Sequence, residues 1–190
     1  MNSAIQPNAF VGTPITCPEL FSPAECESIR KLPFIRSSEG QVQLADQHDD
    51  VASQYRRTTC HNIAPTPENL WINERVLGLI KESNRNYYHF HINFLSELQV
   101  MEYQPEGFYD WHLDLGEGMY STRKLSVVVF LSRPDEYSGG RLVLEPRHHQ
   151  LPHEQGTALI FPSFLLHRVE PVTQGQRWTL VAWAHGPVFA

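Results

Sequence analysis

The chain has 190 residues, a formal net charge of −6, 41% apolar residues and 19% charged ones. That is sequence enough for one domain with a sizeable core, and its acidic balance argues against nucleic acid as a main partner. Cys17, Cys26 and Cys60 form an odd set without C-x-x-C spacing, which disfavours a disulfide framework or a zinc site; the longest strong apolar run, Val127–Leu131, is far too short to span a bilayer, so a cytoplasmic protein without a membrane partner is expected.

Residues Met1 to Cys17 are polar and punctuated by proline, which predicts a loop with a short strand around Phe10-Val11. Ser22-Pro23-Ala24-Glu25 is a helix start, with Ser at the N-cap, Pro at N1 and Glu at N3, and the helix should end before Pro33. Residues 39–50 are hydrophilic and predict an exposed hairpin or loop, and Arg56–Ile63 predicts a strand. Thr66-Pro67-Glu68 opens a second helix, with Thr66 as N-cap and an apolar stripe of Leu70, Trp71, Leu77 and Ile80, running to about Arg85. Trp71 is assigned to core packing.

From His89 onward the pattern changes to strands separated by turns: 90–103, 108–114, 124–131, 141–145, 157–161, 166–172 and 177–184. No helical period interrupts them. The fold class expected is mainly β with flanking helices, a sandwich, barrel or jelly roll buttressed by two N-terminal helices. With no linker or repeat, residues 1–190 read as a single domain: a helical support region over 1–89 and a β core over 90–187.

Tyr109-Asp110-Trp111-His112-Leu113-Asp114 places an imidazole and a carboxylate at i and i+2 of a predicted strand, so both leave one face. With a second histidine from elsewhere, such a pair makes the 2-His-1-carboxylate arrangement that holds Fe(II) and leaves positions open. Alone, the pair reads equally well as a surface His–Asp hydrogen bond. His48-Asp49-Asp50 repeats the spacing inside a polar run with no strand pattern. His89 and His91 share a predicted strand face but lack a carboxylate at matching spacing. His148, His149 and His153 lie in a polar loop, so all five read as structural or solvated.

His167 falls on the apolar stretch Phe164–Val172, 53 residues after Asp114. Arg177 follows ten residues later and opens the last strand. It alternates with Thr179, Val181 and Trp183 onto one face, opposite Trp178, Leu180 and Ala182. An arginine aimed into an apolar cup is costly unless an anion meets it, and its planar fork suits a carboxylate. The competing reading is a structural ion pair at the core edge.

Taken together, H-x-D, a distal His and an Arg ten residues further resemble the Fe(II)/2-oxoglutarate dioxygenases, and most closely their prolyl-4-hydroxylase-like branch. Tyr103-Gln104-Pro105-Glu106-Gly107 resembles that branch's Tyr-x-x-x-Gly element, Ser138-Gly139-Gly140-Arg141-Leu142 its Gly-Gly-x-Leu hairpin, and Trp183 an aromatic at the end of the last strand. The resemblance covers roughly Leu98 to Pro187. It implies a double-stranded β-helix (jelly-roll) core with His112, Asp114 and His167 as iron ligands. It implies a 2-oxoglutarate whose 2-oxo and C1 carboxylate groups chelate iron while Arg177 and Tyr103 bind it from the protein. Arg123 matches an arginine that contacts a polypeptide in some members, and Tyr109 and Trp183 would line the mouth as substrate-binding residues. Phe130 is a departure, standing where some relatives carry a tyrosine that touches the cosubstrate.

The activity implied is hydroxylation of an unactivated C–H bond with O2 as cosubstrate and release of succinate and CO2; the resemblance also leaves room for ascorbate as a reductant. Related halogenases replace the carboxylate ligand by a small residue, so Asp114 disfavours halogenation. Three readings stand at this point. One is a hydroxylase of an amino-acid residue in a protein, peptide or carrier-bound intermediate. Another is a hydroxylase or desaturase of a free small molecule. The third is a non-catalytic cupin-like module holding another divalent metal.

Overall fold

A computed structural model describes residues 8–39, 54–145 and 151–189. The H-x-D repeat at His48, most of the polar 39–50 segment, and His148 and His149 lie outside the described residues. Fourteen strands are arranged in an eight-stranded sheet, a four-stranded sheet and a two-stranded ribbon, all paired antiparallel.

The large sheet is centred on β8 (Arg123–Phe130) and β14 (Arg177–His185). Beyond β8 lie β11 (Ala158–Pro162) and β1 (Ile15–Cys17); beyond β14 lie β6 (Gln99–Tyr103), β4 (Thr59–Ile63) and β2 (Phe34–Glu39), and β5 (Phe94–Leu95) also pairs with β14. β8 is buried nearly throughout because both its faces are covered. Leu125, Val127 and Val129 join the core under helices α1 (Pro23–Arg30) and α2 (Leu70–Ser83), which contribute Ile29, Ile72, Val76 and Ile80. Val128 and Phe130 face the other way, into a second core. That core is closed by the small sheet, ordered β10 (Leu142–Leu144), β12 (His167–Val169), β7 (Phe108–His112) and β3 (Arg56–Arg57). β9 (Tyr137–Gly139) and β13 (Val172–Gly175) form the ribbon.

α1 carries the capping box read from sequence: Ser22 Oγ accepts from the Glu25 N–H at 3.3 Å, and Glu25 Oε2 accepts from the Ser22 N–H at 2.8 Å. The second helix differs. It starts at Leu70, with Asn69 at the N-cap, and the Thr66 backbone carbonyl accepts from Asn69 and Leu70. Its buried stripe is Ile72, Val76, Leu79, Ile80 and Ser83, whereas Leu70 is exposed. Trp71 packs edge-on against Phe21 at 5.6 Å, as core packing requires.

Other local expectations shift. Phe10-Val11 forms a turn held by the Asn8 carboxamide, and the strand lies at Ile15–Cys17, where the edge of β11 is open to pairing. The 90–103 segment breaks into β5 and β6. Asn84 grips both backbone groups of Phe90 at 2.8 Å, and His89 takes φ +59°, so 89–93 is loop and both His89 and His91 are exposed. Arg56–Ile63 is two strands in two sheets, and the chain crosses at Thr58, whose hydroxyl donates to the Glu102 carbonyl at 2.8 Å. Ser138–Leu142 is likewise a crossing rather than a hairpin, since β9 pairs with β13 and β10 with β12. Strands from the first 89 residues therefore enter both sheets. Among the described residues no helix is long and apolar enough to cross a membrane.

Candidate metal centre

β7 and β12 pair so that His112 and His167 stand directly opposite, and their ring centroids lie 4.1 Å apart. Each Nδ1 sits beside the carbonyl two residues earlier, His112 to Asp110 at 2.7 Å and His167 to Leu165 at 2.9 Å. A carbonyl only accepts, so each Nδ1 carries the proton and each Nε2 keeps its lone pair. Both lone pairs face Asp114, whose Oδ1 is 3.9 Å from His112 Nε2 and whose Oδ2 is 3.5 Å from His167 Nε2. One donor atom from each of the three residues falls within 4.8 Å of the others.

Asp114 reaches this point differently from the strand geometry expected. β7 stops at His112, and the chain bends, the Asp114 and Leu115 N–H groups both donating to the Ser163 carbonyl at 3.0 and 2.9 Å. Burial is the largest influence on the Asp114 carboxyl and raises its pKa. The His167, His112 and Arg123 charges and the Ser126 hydroxyl outweigh it, so the carboxyl is held below the usual range. His112 is pushed down to about 3, first by burial and then by repulsion from His167. In the neutral form that metal binding requires, His112 and His167 join the Asp114 carboxylate in a donor set suited to Fe(II), with positions left open.

These shifts predict an acid sensitivity with a definite sign. Both groups bind protons less readily in the folded chain than in the unfolded one, so stability is lost as pH falls. For His112 the window runs from the ordinary value of 6.5 down to about 3. Urea denaturation of the metal-free protein at stepped pH should show stability falling through that window and a flatter slope for His112→Gln. Equal slopes would contradict the buried neutral imidazole.

All eight site residues singled out in the sequence line one cavity of about 740 Å³. Arg177 is 1% exposed, and among the described residues none of its three guanidinium nitrogens has a hydrogen-bond partner. Its guanidinium carbon lies 5.1 Å from the Tyr103 ring and 5.6 Å from Phe130. Tyr103 pairs opposite Arg177 on β6, and burial raises its phenol pKa, keeping it a neutral donor. Phe130 offers a ring face and no hydroxyl. Gly140, at φ +60°, makes room for Arg177: a Cβ there would sit 2.9 Å from Arg177 Cδ.

At the mouth, Arg123 has the Trp183 ring at 3.8 Å and the Tyr120 ring at 4.3 Å, with Nη1 3.9 Å from Asp114 Oδ1. Tyr109 stacks on His112 at 3.4 Å, and Arg56 covers it at 4.5 Å.

With the geometry in view, comparison with known proteins gives a consistent answer. Residues 98–185 match the family model described as the 2OG-Fe(II) oxygenase superfamily. Over those residues, a little under half of its length, the chain is similar to that superfamily. Within it, the likeness is to the prolyl-4-hydroxylase-like branch. The chain is 43% identical over 94 residues to a PKHD-type hydroxylase of Synechococcus elongatus, a match covering 45% of this chain and 41% of that protein. It is 33% identical over 100 residues to a PKHD-type hydroxylase of Crocosphaera subtropica, covering 50% and 45%. The match therefore spans less than half the length of these curated relatives. Among solved structures, a prolyl-4-hydroxylase of Pseudomonas putida superposes with a TM-score of 0.65 at 18% identity, covering 93% of this chain and 94% of that one. A Trichoplax adhaerens prolyl hydroxylase in complex with a hypoxia inducible factor peptide fragment superposes at 0.72 and 16% identity, covering 92% and 84%. At these identities the likeness is one of fold.

Several residues of the cavity and of the wall behind it escaped the sequence reading. Ser126 had a visible signal, a lone hydroxyl inside the apolar run Leu125–Leu131. Arg56, Tyr120 and Ser163 had none, because each arrives through a bend or a change of sheet that periodicity does not encode.

Proposed function

We propose that this chain is an Fe(II)- and 2-oxoglutarate-dependent dioxygenase that hydroxylates an unactivated C–H bond of an amino-acid residue, prolyl-type, in a polypeptide. The observation that carries the reading is Arg177. A buried guanidinium with three unpaired nitrogens, in the same cavity as the His112/Asp114/His167 cluster, is stable only if an anion arrives to meet it. A dicarboxylate with one end at the metal and the other at Arg177 satisfies both requirements.

In this reading the two facing sheets are a double-stranded β-helix, and the N-terminal strands and helices complete it as one catalytic domain. His112, Asp114 and His167 would hold Fe(II), which supplies activation of O2 coupled to decarboxylation of 2-oxoglutarate to succinate and CO2. Arg177 and the Tyr103 phenol would bind the distal carboxylate, and Phe130 would pack the carbon chain. Tyr109, braced by Arg56, would hold the His112 ring. Arg123 and Trp183 would receive the substrate at the mouth, with their contact orienting the guanidinium. The free thiols among the described residues favour a reducing, cytoplasmic setting, and ascorbate would serve only to restore the ferrous state. A polypeptide is favoured over a free small molecule because a fold neighbour is described in complex with a peptide.

The test is succinate formation from 2-oxoglutarate by the Fe(II)-loaded protein, with mass spectrometry of proline-containing peptides for gain of one oxygen. Succinate with oxygen gain is the expected result. Absence of succinate with every substrate pool, together with absence of 2-oxoglutarate binding, would leave only a non-catalytic metal module.

A further inference from the structure

We propose that Ser126, backed by Ser163, is a positioning residue that fixes which oxygen of Asp114 is available to a metal. The proposal rests on the metal reading of His112, Asp114 and His167. Ser126 is on the cavity face of β8, in register with Phe161 on one side and Trp183 on the other, and it is 1% exposed. Its Oγ lies 2.6 Å from Asp114 Oδ2 and 3.0 Å from Ser163 Oγ, and Ser163 is fully buried.

Proton bookkeeping gives this chain one direction. At 2.6 Å Ser126 donates to Oδ2, which spends its single hydroxyl proton. Ser163 must then donate to Ser126. The result is Ser163 O–H to Ser126 O–H to Asp114 Oδ2, with charge-assisted character at the last link. The same Ser163 holds the Asp114 backbone through its carbonyl. Among the described residues no hydrogen bond reaches Oδ1; the nitrogens nearest it among the ion pairs, His112 Nε2 and Arg123 Nη1, both stand at 3.9 Å. The carboxylate is thus pinned at one oxygen and free at the other, which disfavours rotation and bidentate binding.

The experiment is calorimetric titration of the metal-free full-length chain with Mn(II), alongside thermal melts of the same samples. Ser126→Ala should weaken Mn(II) binding by about 10–100-fold, the usual cost of losing a partner that orients a ligand. Ser163→Ala, one link removed, should cost about two- to tenfold. Ser126→Thr keeps the hydroxyl and should recover binding toward the wild-type value. A lower melting temperature with unchanged Mn(II) affinity in Ser126→Ala would overturn the proposal, because a packing role alone predicts that pattern. If Ser126→Ala fails to melt cooperatively, Ser163→Ala decides: unchanged affinity there overturns it equally. Wild-type protein that binds no Mn(II) would instead overturn the metal reading on which the proposal rests.

Discussion

Asp114→Ala is expected to abolish metal binding and turnover together. Asp114 supplies the only carboxylate of the cluster, and without it two neutral imidazoles face a cavity that also holds the Arg123 and Arg177 guanidiniums. A dication entering that site would meet cationic neighbours and no carboxylate among the cluster's ligands. The loss should therefore run well beyond the roughly 10–100-fold that removing a supporting partner costs. The fold should survive. The variant strands the Ser126 hydroxyl, whose acceptor is gone, at a cost of about 1–3 kcal/mol. The check is a Mn(II) titration and a succinate assay on protein that still melts cooperatively. Normal succinate formation in Asp114→Ala would remove His112, Asp114 and His167 from the proposed role.

How much of this centre could be read in the sequence follows from what it costs to bury each group. His167 and Arg177 stand out because an imidazole and a guanidinium inside apolar strands demand a reason. The strict alternation of Arg177 to Trp183 tells which face they take, and the structure agrees residue by residue. Ser126 breaks its strand just as visibly, but a serine is cheap to bury once bonded, so its signal is weak. The sheet crossings at Thr58 and at Gly139-Gly140 are invisible to a period of two, which gives a face but not a partner. The second helix shows the same limit. Of the expected stripe Leu70, Trp71, Leu77 and Ile80, only Ile80 is fully buried, and tertiary packing adds Ile72, Val76 and Leu79. Helix existence came from the pattern, and its buried face came from the sheet it lies on.

Arg177→Met should separate stability from function. In the metal-free protein the buried guanidinium has no hydrogen-bond partner, an arrangement that destabilises the fold for the sake of a ligand. Methionine fills similar space beside Tyr103 and Phe130 without a charge, so the apo melting temperature should rise, by about 2–4 °C for each kcal/mol recovered. The same change should weaken 2-oxoglutarate binding by about 30- to several-thousand-fold, the 2–5 kcal/mol that truncating a buried charge pair costs. Mn(II) affinity should stay near wild type, since Arg177 makes no contact with Asp114 or either histidine among the described hydrogen bonds and ion pairs. Melts with and without 2-oxoglutarate read both effects at once. Wild type should gain about 2.7 kcal/mol at a hundredfold excess over its Kd, while the variant, already more stable, should gain little. A variant that is less stable when empty yet binds 2-oxoglutarate as tightly as wild type would make Arg177 a structural residue and leave the cavity without its anion site.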